Sequence, residues 1–158
     1  MPNAFQIHGW SLGIAWGAIC ILMVASNRYL KTFWNFNRKF HAFAGFVIAA
    51  TTFSMALYAF KSVGWSLIIN WHFKFIAPTC ILTLLLGIGG VMTRTTLQTS
   101  KWQTQKALTI KKYHRAFAYF TILLSIGAVF TGIKKYRTNP AHPSDTEYEI
   151  YYCVSFVI

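Results

Sequence analysis

Four long apolar runs, set apart by polar stretches, organise the chain: roughly Ala4 to Tyr29, Lys39 to Phe60, His72 to Met92 and Tyr113 to Ile133. A membrane helix needs about 20 mostly apolar residues at a rise of about 1.5 Å each, and every run meets that length. The connection after the second run is short and carries Gly64, whereas longer polar connections follow the first (Leu30 to Arg38) and the third (Thr93 to Lys112). Short connections between successive helices predict an up-down-up-down bundle. The expected fold is all-α: a transmembrane four-helix bundle over residues 1–135, then a polar tail, 136–158, with the apolar end Tyr151 to Ile158. The tail carries Asn139-Pro140 and His142-Pro143 and cannot be a fifth span.

Composition agrees with a membrane setting. Only 11% of residues are charged, against about a quarter in soluble domains, so much of the surface must face lipid. The net charge of +12 is not a nucleic-acid signal, because the basic residues cluster between apolar runs and form no patch on a polar domain. They set orientation instead. Arg28, Lys31, Arg38, Lys39, Arg94, Lys101, Lys106, Lys111, Lys112 and Arg115 fall on the side of the connections after runs one and three. Lys61, Lys74, Lys134, Lys135 and Arg137 fall on the other, with the three acids Asp145, Glu147 and Glu149. Ten cations against five place the first side in the cytosol or the mitochondrial matrix and both termini opposite. The expected protein is a multi-pass one of the mitochondrial inner membrane or an endomembrane. Arg28, Lys31 and Lys39 read as ordinary positive-inside residues rather than as a site for an anionic donor.

The first run is too long for the apolar core of a signal peptide and ends in Asn27-Arg28 without a small-residue cleavage pattern, so it reads as a span. Cys20 and Cys80 lie inside apolar runs and Cys153 in the tail, which gives no disulfide framework. No C-x-x-C-H motif attaches a haem covalently.

The histidines carry the chemistry. His8, His41, His72 and His114 each fall near the start of a run, one per helix. In an alternating bundle His8 and His72 share one depth, and His41 and His114 share the other. Adjacent helices lie about 8–10 Å apart, and diagonal partners about 1.4 times farther, which is the wider spacing that two imidazoles with an iron between them need. Two diagonal histidine pairs therefore predict two non-covalent b-type haems with bis-histidine axial ligation, His8 with His72 and His41 with His114. Along the same faces come Gly45, Thr52 and Ala59 after His41, Thr79, Thr83 and Gly90 after His72, and Ala118, Thr121, Ser125 and Gly132 after His114. These small side chains are expected to leave volume for a flat cofactor, although Leu12 and Ile76 are bulky at equivalent positions. A lone buried histidine is more often a packing residue; it is the constellation that points to ligation. His142, flanked by proline, is expected to be solvated.

At these residues the chain resembles the cytochrome b561 superfamily over Phe5 to Ile133. His8-Gly9-Trp10, Trp16-Gly17 and Arg28-Tyr29 are similar to the first helix of its four-helix core. Lys39-Phe40-His41 with Gly45-Phe46 looks like the second, His72 with its Leu-rich run the third, and Tyr113-His114 with Gly127 and Gly132 the fourth. One variant of that family places the second-helix ligand nearer Asn37. The resemblance implies transmembrane electron transfer through the two haems, with a possible reductase activity of the b561 type. Relatives pass electrons from ascorbate or another donor to an acceptor, often ferric iron, across the membrane.

A second expectation is a non-enzymatic one: a haem-binding or structural accessory subunit of a larger membrane complex, such as a respiratory one. It rests on the apolar tail end, which is too short to span and must lie on lipid or on partner subunits. A transporter fits less well, because the spans contain no acidic residue for an ion relay.

Overall fold

The structure, a computed structural model, describes residues 4–65, 69–96 and 101–137. These form four helices: α1 (Ala4–Tyr29), α2 (Trp34–Ser62), α3 (Trp71–Thr96) and α4 (Lys101–Arg137). Each contains a stretch long and apolar enough to cross a bilayer, and no strand occurs among the described residues. The tail beyond Arg137, with His142, Cys153 and the apolar end Tyr151 to Ile158, lies outside them.

Two connections are more helical than their polarity predicts. Between α1 and α2 only Leu30 and one 3₁₀ turn, Lys31–Phe33, intervene, and α4 begins at Lys101 rather than near Tyr113. The physical reason is that Lys, Gln, Leu and Ala are good helix formers. Charge moves such a segment out of lipid without ending the helix.

The remaining ends are built from local chemistry. Gly64 takes φ +68° and Trp65 φ +61°, and Trp65 N–H reaches back to the Phe60 carbonyl (2.8 Å) while Gly64 N–H reaches Lys61 (3.2 Å). That pair of bonds is a Schellman closure, and glycine at its left-handed position carries no steric cost. Asn70 opens α3 by accepting the Phe73 N–H on its side-chain oxygen (2.9 Å). Within α3, Pro78 removes one N–H donor, a loss that membrane helices tolerate where neighbours re-satisfy the backbone. Within α1, Ile14–Ile19 is π-helical, so this span carries a wider turn than its neighbours.

Each helix packs on its neighbours in sequence, and α4 also meets α1, which closes a four-cornered ring. The α3–α4 pair is the most extensive contact. α1 with α3 and α2 with α4 are thus the diagonals. The buried interior is thin: Leu12, Ala15, Cys20, Ala44, Ile48, Ala128 and Ile133 are its apolar members. Large apolar side chains point outward instead, Phe43 and Phe46 being 67% and 70% exposed. Such faces would be a liability in water, and they fit a lipid bilayer. At the end opposite the basic connections, Trp65 and Trp71 stand exposed, with the Lys74 ammonium 4.4 Å from the Trp71 ring centre, a pairing suited to the membrane boundary.

Candidate functional site

The bundle brings the four histidines together as two diagonal pairs. His8 of α1 and His72 of α3 have ring centroids 6.1 Å apart with planes inclined at 74°. His41 of α2 and His114 of α4 stand 6.2 Å apart at 62°. At metal–nitrogen bonds of about 2.0–2.1 Å, two imidazoles on opposite sides of one ion place their centroids roughly 6.3 Å apart. Both pairs match that separation.

The first pair is anchored by main chain. His8 Nδ1 lies 3.1 Å from the Met55 carbonyl of α2, and His72 Nδ1 lies 2.9 Å from the Ala128 carbonyl of α4. A ring that donates from Nδ1 keeps its Nε2 lone pair for a metal, and this second bond fixes both tautomer and orientation. The second pair is held differently. Asn27 Nδ2 lies 3.0 Å from His41 Nδ1. His114 faces the Leu86 main chain, yet its buried Nδ1 makes no hydrogen bond of ordinary geometry.

The anchors also measure the distance between levels. Met55 lies fourteen residues beyond His41 and Ala128 fourteen beyond His114; at about 1.5 Å per residue, both helices separate the two levels by roughly 21 Å. Glycines let the rings sit close to the opposing helices. A Cβ on Gly132 would meet His72 at 3.1 Å, whereas Cβ atoms on Gly89 and Gly90 would stand 3.8 Å from His114. Beside Gly45, one turn from His41, nothing lies within 4 Å of an added Cβ.

The hydroxyl-bearing face behaves otherwise than its small size predicts. Thr52, Thr79 and Thr121 have no accessible surface, so they are packed among the helices and are not the wall of an open chamber. Each hydroxyl is satisfied four residues back along its own helix, at Ile48, Phe75 and Phe117 (2.7 Å in each case), and Thr52 also accepts the Trp16 indole N–H (3.1 Å).

Polar residues gather at the basic end, Ser26 and Asn27 among them without a role in the sequence reading. Asn37 is fully buried and accepts the Ser26 hydroxyl (3.2 Å), which ties the last turn of α1 to α2. It is His41, one turn further on, that faces His114. The pattern that would have drawn attention to Ser26 and Asn27 is their clustering with Asn37 around one helical turn connection. A cavity of about 310 Å³ lies nearby, lined by Leu22, Ala25, Ser26, Tyr29, Leu30, Phe36 and Phe40; it holds no histidine and belongs to neither pair.

Among the described residues no three or more His, Cys, Asp or Glu side chains gather to hold a metal ion. What the chain offers is two cross-bundle imidazole pairs, His8 with His72 and His41 with His114, residues that could hold a haem iron if one is bound. No protein-family model, curated protein or solved structure matches the chain.

Proposed function

We propose that this chain carries electrons across a membrane, holding one b-type haem between His8 and His72 and another between His41 and His114. The observation that carries this reading is the pair of cross-bundle imidazole contacts at 6.1 and 6.2 Å, one of them with both Nδ1 atoms on main-chain carbonyls. When bound, haem iron supplies a one-electron ferric/ferrous couple. The chain's own part is to present Nε2 from opposite corners and to hold the rings against rotation. The histidine levels lie roughly 21 Å apart along the helices, and if macrocycles were held there, their edges would lie closer together than the irons. The likeness to the cytochrome b561 core points the same way, and ascorbate with a ferric acceptor is the donor–acceptor chemistry it brings.

The test uses vesicles that contain the purified haem-loaded protein, ferricyanide trapped inside and ascorbate outside. Each ferricyanide takes one electron, so its bleaching counts electrons that have crossed. Bleaching with the natural protein, and none with His72→Ala, is expected. Equal bleaching in protein-free vesicles and in those with haem-loaded protein would reject transmembrane transfer.

A further inference from the structure

We infer that Asn27 is the positioning residue for His41 and tunes the haem held by His41 and His114 without affecting the other. The inference rests on the two-haem reading above. Its origin is a break in a repeat. Met55 stands fourteen residues beyond His41 on α2, Ala128 fourteen beyond His114 on α4, and Leu86 fourteen beyond His72 on α3. At three corners, then, the main chain facing an imidazole comes from one and the same register of the adjacent helix. The fourth corner belongs to α1, whose middle, Ile14–Ile19, is π-helical. A π turn takes in an extra residue and shifts everything after it. There His41 meets a side-chain amide, Asn27, and not a carbonyl.

An amide differs from a carbonyl in being ambivalent. With Nδ2 toward the ring, Asn27 donates to His41 Nδ1 and leaves the ring proton on Nε2. Turned by half a rotation about its last torsion, it presents Oδ1 to an Nδ1–H and frees Nε2 for iron. Asn27 can thus hold His41 in place in either tautomer, before and after a metal arrives. Its own position is fixed by the preceding residue, since Ser26 bonds both the Met23 carbonyl (3.0 Å) and Asn37 (3.2 Å). Asn27 Nδ2 lies 3.0 Å from His41 Nδ1, so it is the half-turned amide, with Oδ1 toward the ring, that would accept from an Nδ1–H of His41. A partner that accepts from Nδ1–H makes the imidazole a stronger donor to the metal, which favours ferric iron and lowers the reduction potential.

Two substitutions separate this role from a packing role, because they move the potential in opposite directions. The experiment is a spectroscopic redox titration of the purified protein, with His8→Ala used to identify the signals of the haem that remains. Asn27→Leu removes the acceptor and should raise the midpoint of the His41/His114 haem, or release that haem alone. Asn27→Asp supplies a stronger acceptor and should lower the same midpoint. The His8/His72 haem should keep its midpoint in both. Midpoints unchanged in both variants, or displaced in the same direction, would overturn the role of Asn27 while leaving two haems in place. A natural protein free of haem would overturn the two-haem reading and this inference with it.

Discussion

His8 and His72 stand on opposite corners of the bundle, yet their ring centroids lie only 6.1 Å apart. Their helices are diagonal partners, so the two side chains must both point to the bundle axis and meet across it. Each is then locked by a carbonyl of the next helix, Met55 for His8 and Ala128 for His72. If these two imidazoles hold a metal, their proximity means that they share one. Replacing either by Ala should therefore remove the same haem, with the same loss from the spectrum, while the His41/His114 haem persists. Different spectral losses from His8→Ala and His72→Ala would contradict the pairing.

Gly132 and Gly127 offer a second test on one helix. A Cβ at Gly132 would press on the His72 ring at 3.1 Å, so Gly132→Ala should shift the spectrum of the His8/His72 haem with little loss of stability. A Cβ at Gly127 would stand 2.7 Å from the Phe75 ring, in the α3–α4 contact. Overpacking of that kind typically costs about 1–3 kcal/mol, so Gly127→Ala should lower the unfolding temperature in detergent. A reversal of the two phenotypes would show that the rings are placed otherwise.

The four spans and the one-histidine-per-helix arrangement are legible in the sequence, because hydropathy over some twenty residues and position along a span survive any detail of packing. The helical extension of α4 back to Lys101 is not legible, since Lys, Gln and Thr mark the end of the lipid and say nothing about the end of the helix. The threonine faces mislead for a related reason. Thr52, Thr79 and Thr121 are small enough to border a cofactor, and also small enough to let helices close on each other; only the packing distinguishes the two. Asn27 is hidden in a different way, because its partner His41 is reached through a π turn that no hydrophobic period announces.

Trp16 and Thr52 couple α1 to α2 through one partly buried hydrogen bond. Trp16→Phe and Thr52→Val should each destabilise the bundle in detergent. The double variant should be less damaged than the two effects added together, by about 0.6 kcal/mol, the average for side-chain hydrogen bonds between membrane helices, and by no more than about 1.7 kcal/mol. Strict additivity in a double-mutant cycle would show that the indole acts by packing alone.

Orientation is open to direct labelling. In a background of Cys20→Ala, Cys80→Ala and Cys153→Ala, the exposed positions Lys112 and Lys61 can be changed to cysteine one at a time. The excess of cations at the Lys112 end predicts that Lys112→Cys reacts with an impermeant maleimide from the cytosolic or matrix side, and Lys61→Cys only from the other. The inverse pattern would show that the charge bias does not set this topology.

The most direct measurement is the haem content of the purified chain, taken as the pyridine haemochrome together with the dithionite-reduced spectrum. Two imidazole pairs at a metal-spanning separation predict about two b-type haems per chain, with the sharp reduced bands of six-coordinate iron. One should be lost in His8→Ala and the other in His41→Ala. A colourless protein from haem-replete cells, or a haem content unaffected by any of the four histidines, would contradict the account.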